Sequence, residues 1–209
     1  MSWVEIIGWS ATAVGALLGF PQLFRLLRTR NVEGLSLVAW QWILVMNVVW
    51  FAHGVRIDQP PQLVVNSIGA CATVPILVLL SRAVGRRLWQ VVLPSLVAAA
   101  VIIAIDHFLG SAAFGLAAIV PGIGSTVGQT IELVRAPHVR GLSALFMVLA
   151  FVNQALWTTW AFLIGDPGSV ITAVTMSLLT GANLVWYGAR RLGLRAFFSP
   201  TETSIARLD

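Results

Sequence analysis

Asn47, Trp50 and His53 stand at every third position, which puts them on one side of a helix. Gln154, Trp157 and Trp160 repeat the pattern: a polar side chain, then a tryptophan, then a second ring. Asn153 adjoins Gln154. Uncharged polar groups near the middle of a membrane helix turn toward the bundle interior or a wet cavity. These residues are therefore candidates to line a path for a small solute. The competing reading is hydrogen-bonded glue between helices, worth about 0.6 kcal/mol per contact. The chain holds no Ser-His-Asp set, phosphate loop or paired carboxylates, and His53, His107 and His138 lack metal-ligand spacing. The single cysteine, Cys71, excludes an intrachain disulfide and a cysteine metal site; it reads as a small packing residue. The expectation is a protein that is not an enzyme and needs no cofactor.

Those side chains need membrane helices to position them. Hydrophobic residues make up 58% of the 209 and charged residues only 10%, against about 25% charge in a soluble domain. A water-soluble globule is excluded, and so is a disordered chain. A helix crosses the hydrocarbon in about 20 residues. Charge-poor stretches of that size are Ile6–Leu27, Ser36–Val55, Gln62–Leu80, Trp89–Ile105, Ser111–Val134, Ser143–Ile164 and Val170–Tyr187. Seven spans leave only short loops, so the prediction is an all-α, multi-pass membrane protein with no soluble domain.

All 13 basic residues are arginine. With the N-terminus outside, every one but Arg56 falls on the inner side, in the loops at Arg25–Arg30, Arg82–Arg87 and Arg135–Arg140 or in the tail. That satisfies the positive-inside rule and puts the C-terminus in the cytoplasm. It also explains the net charge of +5 as topology rather than nucleic-acid binding. The leader MSWVE has no basic segment, so the first span reads as an N-out anchor and not a cleaved signal. Arginine without lysine, with abundant Ala, Val and Gly, fits a GC-rich bacterial genome and hence a bacterial inner (plasma) membrane.

The chain repeats itself. Laying Gln22 on Gln129 also pairs Arg28 with Arg135, Gly34-Leu35-Ser36 with Gly141-Leu142-Ser143, and Trp50 with Trp157. Gly8, Ala11 and Gly15 then meet Gly115, Ala118 and Gly122. Each copy holds three spans, an odd number, so direct fusion would invert the second copy. The fourth span reverses the chain. The predicted architecture is 3+1+3, a parallel repeat: a first bundle over 1–88, a linker helix over 89–110, a second bundle over 111–187 and a cytoplasmic tail over 188–209. Transporters built this way bind solute near the midplane between the halves.

Phe20-Pro21-Gln22 near the end of the first span, an Arg-rich turn, and Gly34-Leu35-Ser36 opening the second resemble the PQ-loop motif. Two such copies with a lone helix between them resemble the SWEET sugar transporters and their half-sized bacterial relatives. The resemblance runs from about Ile6 to Tyr187. It implies two three-helix bundles around a central sugar pathway with alternating access. It also implies sugar contact by a tryptophan late in the second helix and an asparagine sixteen residues on, which correspond to Trp50 and Asn66. A tryptophan face packs on the C–H face of a sugar, and an amide donates to and accepts from its hydroxyls.

The second copy departs from the pattern. Trp157 matches, but Ala173 stands where the second asparagine belongs, and Gly128 replaces the proline before Gln129. Thr172, Thr175 and Ser177 surround Ala173, and Thr172 or Ser177 would supply the missing polar group. The expected binding set is thus Trp50, Asn66, Trp157, Asn47, Gln154, Thr172 and Ser177. The expected hinge and gate set is Pro21, Gln22, Gly128, Gln129, His53 and Trp160, because a proline removes a backbone hydrogen bond and bends its helix. Glu5, Asp58, Asp106 and Asp166 all fall near span ends, which leaves the deep membrane without charge and favours uncoupled, bidirectional facilitated diffusion of a small neutral sugar, a mono- or disaccharide. The alternatives are a PQ-loop carrier of amino acids or other metabolites, and a non-transporting receptor or scaffold. Beyond the lipid bilayer and the solute no partner is expected; association into a homo-oligomer is compatible with the family.

Overall fold

A computed structural model describes residues 2–30, 32, 35–135 and 143–194, with the backbone alone at 19–22 and 25. The seven expected spans are seven helices: α1 (Trp3–Thr29), α2 (Leu37–Arg56), α3 (Pro60–Ala83), α4 (Leu88–Leu109), α5 (Ser111–Arg135), α6 (Ala144–Ile164) and α7 (Pro167–Arg191). Lipid offers no partner to a bare N–H or C=O, so helices that close their own hydrogen bonds are the solution available to these apolar runs. Helices α2 to α7 are each long and apolar enough to cross a membrane, and α1 opens with the apolar stretch Trp3–Leu18. The chain is an integral, multi-pass membrane protein. Many large apolar side chains face outward, among them Leu116, Leu178 and Val185, as lipid contact requires.

The helix ends carry the repeat more sharply than composition does. Ser36 and Ser143 cap α2 and α6 identically, each hydroxyl accepting from the backbone N–H three residues on at 3.3 Å. In the same register Pro60 and Pro167 both open their helices, where a missing N–H costs nothing. The Gln22-on-Gln129 register thus lays α1, α2 and α3 over α5, α6 and α7.

Packing does not follow chain order. Helix α3 lies against both α1 and α2, and α7 against both α5 and α6. The triplets meet through two equivalent seams, α1 on α6 and α2 on α5, which close a ring of six helices. Helix α4 sits outside the ring on α2 and α5, with a lighter edge on α3. Its buried Ala99 and Ile102 join Val45, Val49, Phe114 and Ala118 in one apolar cluster. Cys71 is exposed on α3; the packing role expected for it is not seen, because its side of the helix faces outward.

The closest backbone approach joins α5 to α7. A Cβ at Gly115 would lie 2.6 Å from the Gly168 carbonyl oxygen, so both positions need hydrogen in place of a side chain. Gly115→Ala is expected to cost about 1–3 kcal/mol through overpacking and to lower the unfolding midpoint of the detergent-solubilised protein. Gly188→Ala, where an added Cβ meets nothing within 4 Å, is expected to leave the midpoint unchanged or raise it.

Candidate functional site

Between the triplets lies a cavity of about 170 Å³. Most of its wall comes from five pairs of equivalent positions: Met46 with Asn153, Trp50 with Trp157, Gln62 with Ser169, Val65 with Thr172, and Asn66 with Ala173. Gly15, Gln154, Trp160 and Met176 complete it. None of these lining residues is Asp, Glu, Lys, Arg or His.

The polar wall is braced from behind. Asn66 Nδ2 donates to the Gln62 carbonyl at 2.8 Å, one turn back in α3, which leaves its second N–H and its Oδ1 for other partners. Gln62 Nε2 donates to the Trp50 carbonyl at 2.8 Å and ties α3 to α2. Thr172 donates to the Gly115 carbonyl at 2.9 Å. Asn153 donates to the Ala11 carbonyl at 2.8 Å, across the α1–α6 seam. The indoles are fixed by edge contacts. Trp50 meets Phe114 at 5.0 Å and His53 at 5.6 Å, and Trp157 meets Trp160 at 5.2 Å.

A charged cluster adjoins this cavity, next to the lining residues Trp50 and Ser169. His53 is fully buried. Its Nδ1 lies 2.7 Å from Asp106 Oδ2, at the end of α4, and its Nε2 lies 2.9 Å from Asp166 Oδ2. Arg56 grips Asp106 with Nε on Oδ2 at 2.9 Å and Nη2 on Oδ1 at 2.7 Å. Asp166 caps α7 by accepting from the Ser169 N–H at 2.8 Å and also accepts from the Ser111 hydroxyl. Burial pushes the Asp166 carboxyl up, but the hydrogen bonds from His53, Ser111 and Ser169 together outweigh it and hold the group well below the usual carboxylate range. Among the described residues no group of three or more His, Cys, Asp or Glu side chains is placed to hold a metal ion.

Residues 3–55, covering α1 and α2, match the family model of the PQ-loop repeat. The fold of the chain is that of a SWEET transporter: the 3.7 Å structure of a eukaryotic SWEET transporter superposes with a TM-score of 0.68, over 92% of this chain and 100% of the other, at 14% identity. Comparison with curated protein sequences gives no match.

The fold gathers some of the expected site residues and separates others. Trp50, Asn66, Trp157, Gln154 and Thr172 share the cavity, with Trp160 at its edge. Asn47 does not line it. Its amide donates to the Ile43 carbonyl at 2.9 Å and to Thr73 at 3.3 Å, a clasp between α2 and α3. The reason is angular: steps of three residues fall about 60° short of a full turn, so Asn47, Trp50 and His53 fan out and only Trp50 reaches the cavity. Ser177 likewise lies off the lining, bonded to Thr158 at 2.8 Å between α6 and α7. Gln129 donates to the Met147 sulfur at 3.0 Å inside the second triplet. A Cβ at Gly128 would meet open space. Pro21 and Gln22 lie within α1, and their side chains are outside the described residues, as are Glu33 and the loop at 136–142.

The cavity also holds residues that sequence reasoning missed. Gln62 stands one turn before Asn66 and so shares its face; Ser169 is its register partner. Both were readable in principle. Asp106 was read as a loop acid, yet it is 4% exposed because α4 turns it into the bundle beside His53. Asp166→Ala is expected to destabilise the protein at neutral pH through the lost cap and the lost partner of His53 Nε2. The Asp166 carboxylate stabilises the fold above the ordinary carboxylate value of about 3.9, and that contribution is lost as the pH falls through its depressed value. The gap in unfolding midpoint between parent and variant is therefore expected to narrow in acid, as measured by thermal melts across pH.

Proposed function

We propose that the protein is a membrane facilitator that carries a small neutral solute of the sugar class between the two triplets by alternating access. The observation that carries this reading is the cavity wall: two tryptophans at equivalent positions, amide and hydroxyl groups around them, and no charge. An ionic solute would leave its charge unpaired there at high cost. A polyol offers C–H faces to Trp50 and Trp157 and hydroxyls to Asn66, Gln154 and Thr172. The SWEET fold and the PQ-loop match support the same conclusion.

Alternating access needs one end closed while the other admits solute. Polar contacts join the triplets at mid-helix, between Asn153 and Ala11, and at the end that holds Glu5, Asp58, Asp106 and Asp166, where His53 meets Asp166. By the positive-inside rule this acidic end faces outward, so the arrangement corresponds to an outwardly sealed state. Uncharged cavity walls also favour downhill exchange without ion coupling.

Proteoliposomes holding the purified protein are expected to take up labelled mono- or disaccharides down their gradient, at a rate unchanged by a protonophore. Asn66→Ala removes one hydrogen-bonding partner, worth about 1 kcal/mol, and is expected to weaken uptake about fivefold. Trp50→Ala is expected to reduce it further. Uptake of amino acids but no sugar would redirect the substrate class, and transport that collapses with the proton gradient would overturn the uncoupled mechanism.

A further inference from the structure

Both ring nitrogens of His53 face carboxylate oxygens, Asp106 at 2.7 Å and Asp166 at 2.9 Å. A neutral imidazole has one N–H, and its other nitrogen is a bare lone pair. An ionised carboxylate only accepts. Two acceptors against one donor would set lone pair against lone pair at one of the contacts. The geometry is satisfied only with one more proton, either as an imidazolium between two carboxylates or as a neutral ring beside one protonated acid. That proton belongs to the cluster as a whole.

Charge counting gives the same answer. Arg56 supplies one positive charge, and Asp106 and Asp166 supply two negative ones. With the extra proton the cluster is neutral; without it one negative charge is left over in a site where His53 is 0% exposed and Asp106 4%, an expensive arrangement. No other titratable group approaches His53 among the described residues. Helix α2 brings Arg56, α4 brings Asp106, and the α6–α7 turn brings Asp166. Helix α5 brings uncharged Phe114, stacked on the imidazole at 4.1 Å and 12°, and Ser111 behind Asp166. Helix α3 brings uncharged Gln62 and Leu63 around Gly54.

We propose that the acidic end of the protein is a proton-binding site, in which closure holds one proton on His53 and its two carboxylates and opening releases it to the side that opens. This rests on the alternating-access reading above. His53 belongs to the first triplet. Asp166 belongs to the second, anchored there by Ser111 and Ser169, and Asp106 stays with α2 through Arg56. Parting the triplets at this end separates His53 from Asp166. One N–H then serves Asp106, and the additional proton is no longer needed. It leaves and returns through the same mouth, so it never crosses the membrane. Solute flux stays uncoupled, while the open fraction follows the pH on that side. Acid favours the closed form, and the closed-to-open ratio is expected to fall by up to about tenfold for each unit of pH increase, the limit for one proton.

The test is a distance measurement on the full chain in lipid nanodiscs, with no solute present. Spin labels at Val55 and Leu163, exposed positions near the acidic ends of α2 and α6, report the opening in a Cys71→Ala background. As the pH is raised the parent is expected to move from the short to the long distance with a one-proton slope. Asp166→Asn is the decisive variant. With Asp166 uncharged, Arg56 and Asp106 already balance around a neutral ring that donates to Asp106, so closure needs no extra proton and the slope is expected to vanish. His53→Gln removes the ring between the two carboxylates, is expected to abolish the slope as well, and stands in should the first variant fail to fold. A parent whose distances ignore pH, or variants that keep the parent's slope, would overturn the proposal. A merely structural clamp would alter the distances in the variants without removing their pH dependence. Because no sugar is involved, failure here leaves the substrate assignment standing, and absence of sugar uptake leaves this measurement intact.

Discussion

An odd number of membrane crossings turns a chain around. Three helices cannot be followed by three like-oriented helices without a reversal between them, and α4 supplies it. Parallel triplets can then present the same surfaces to each other across a pseudo-twofold axis. The two seams, α1 on α6 and α2 on α5, are that relation made physical. The cavity exists because the ring they close has equivalent residues on opposite walls. Helix α4 is not a passive spacer, since it packs on both triplets and brings Asp106 to His53.

The two triplets share a backbone plan but not a chemistry. At the tryptophan positions they are alike. Gln62 and Ser169 are both polar, but at the other three pairs a polar group faces an apolar counterpart: Asn153 against Met46, Thr172 against Val65, Asn66 against Ala173. The sequence already marked the last of these as a departure. The structure adds that polarity is redistributed and not lost, since the second triplet provides its amide from α6 where the first provides it from α3. At the acidic end the equivalence breaks again. His53 takes carboxylates on both nitrogens, while its register partner Trp160 packs against Gly8.

What could be read from the residues was whatever depends on local chemistry and on register. Helix positions followed from apolar runs. The repeat followed from Gln22, Gly34-Leu35-Ser36 and Trp50 meeting their partners, and the Ser36 and Ser143 caps bear it out. What could not be read depends on which helix faces which. Chain order gave no warning that α3 would sit between α1 and α2. Asn47 is a clasp and not a lining residue because its neighbour is α3. Asp106 sits at a span end by position, yet it is buried because α4 packs on α2 and brings it against His53 and Arg56. The spacing of three that made Asn47, Trp50 and His53 look like one surface spreads them over a clasp, a cavity and a proton site.

The mismatch between facing walls has a consequence for any solute they hold. Two identical walls would accept a molecule either way round. Here a head and a tail meet different neighbours, so a guest has one preferred pose. Giving up the second pose costs about 0.4 kcal/mol of orientational degeneracy, RT ln 2. In return the pocket distinguishes the two ends of whatever molecule it holds.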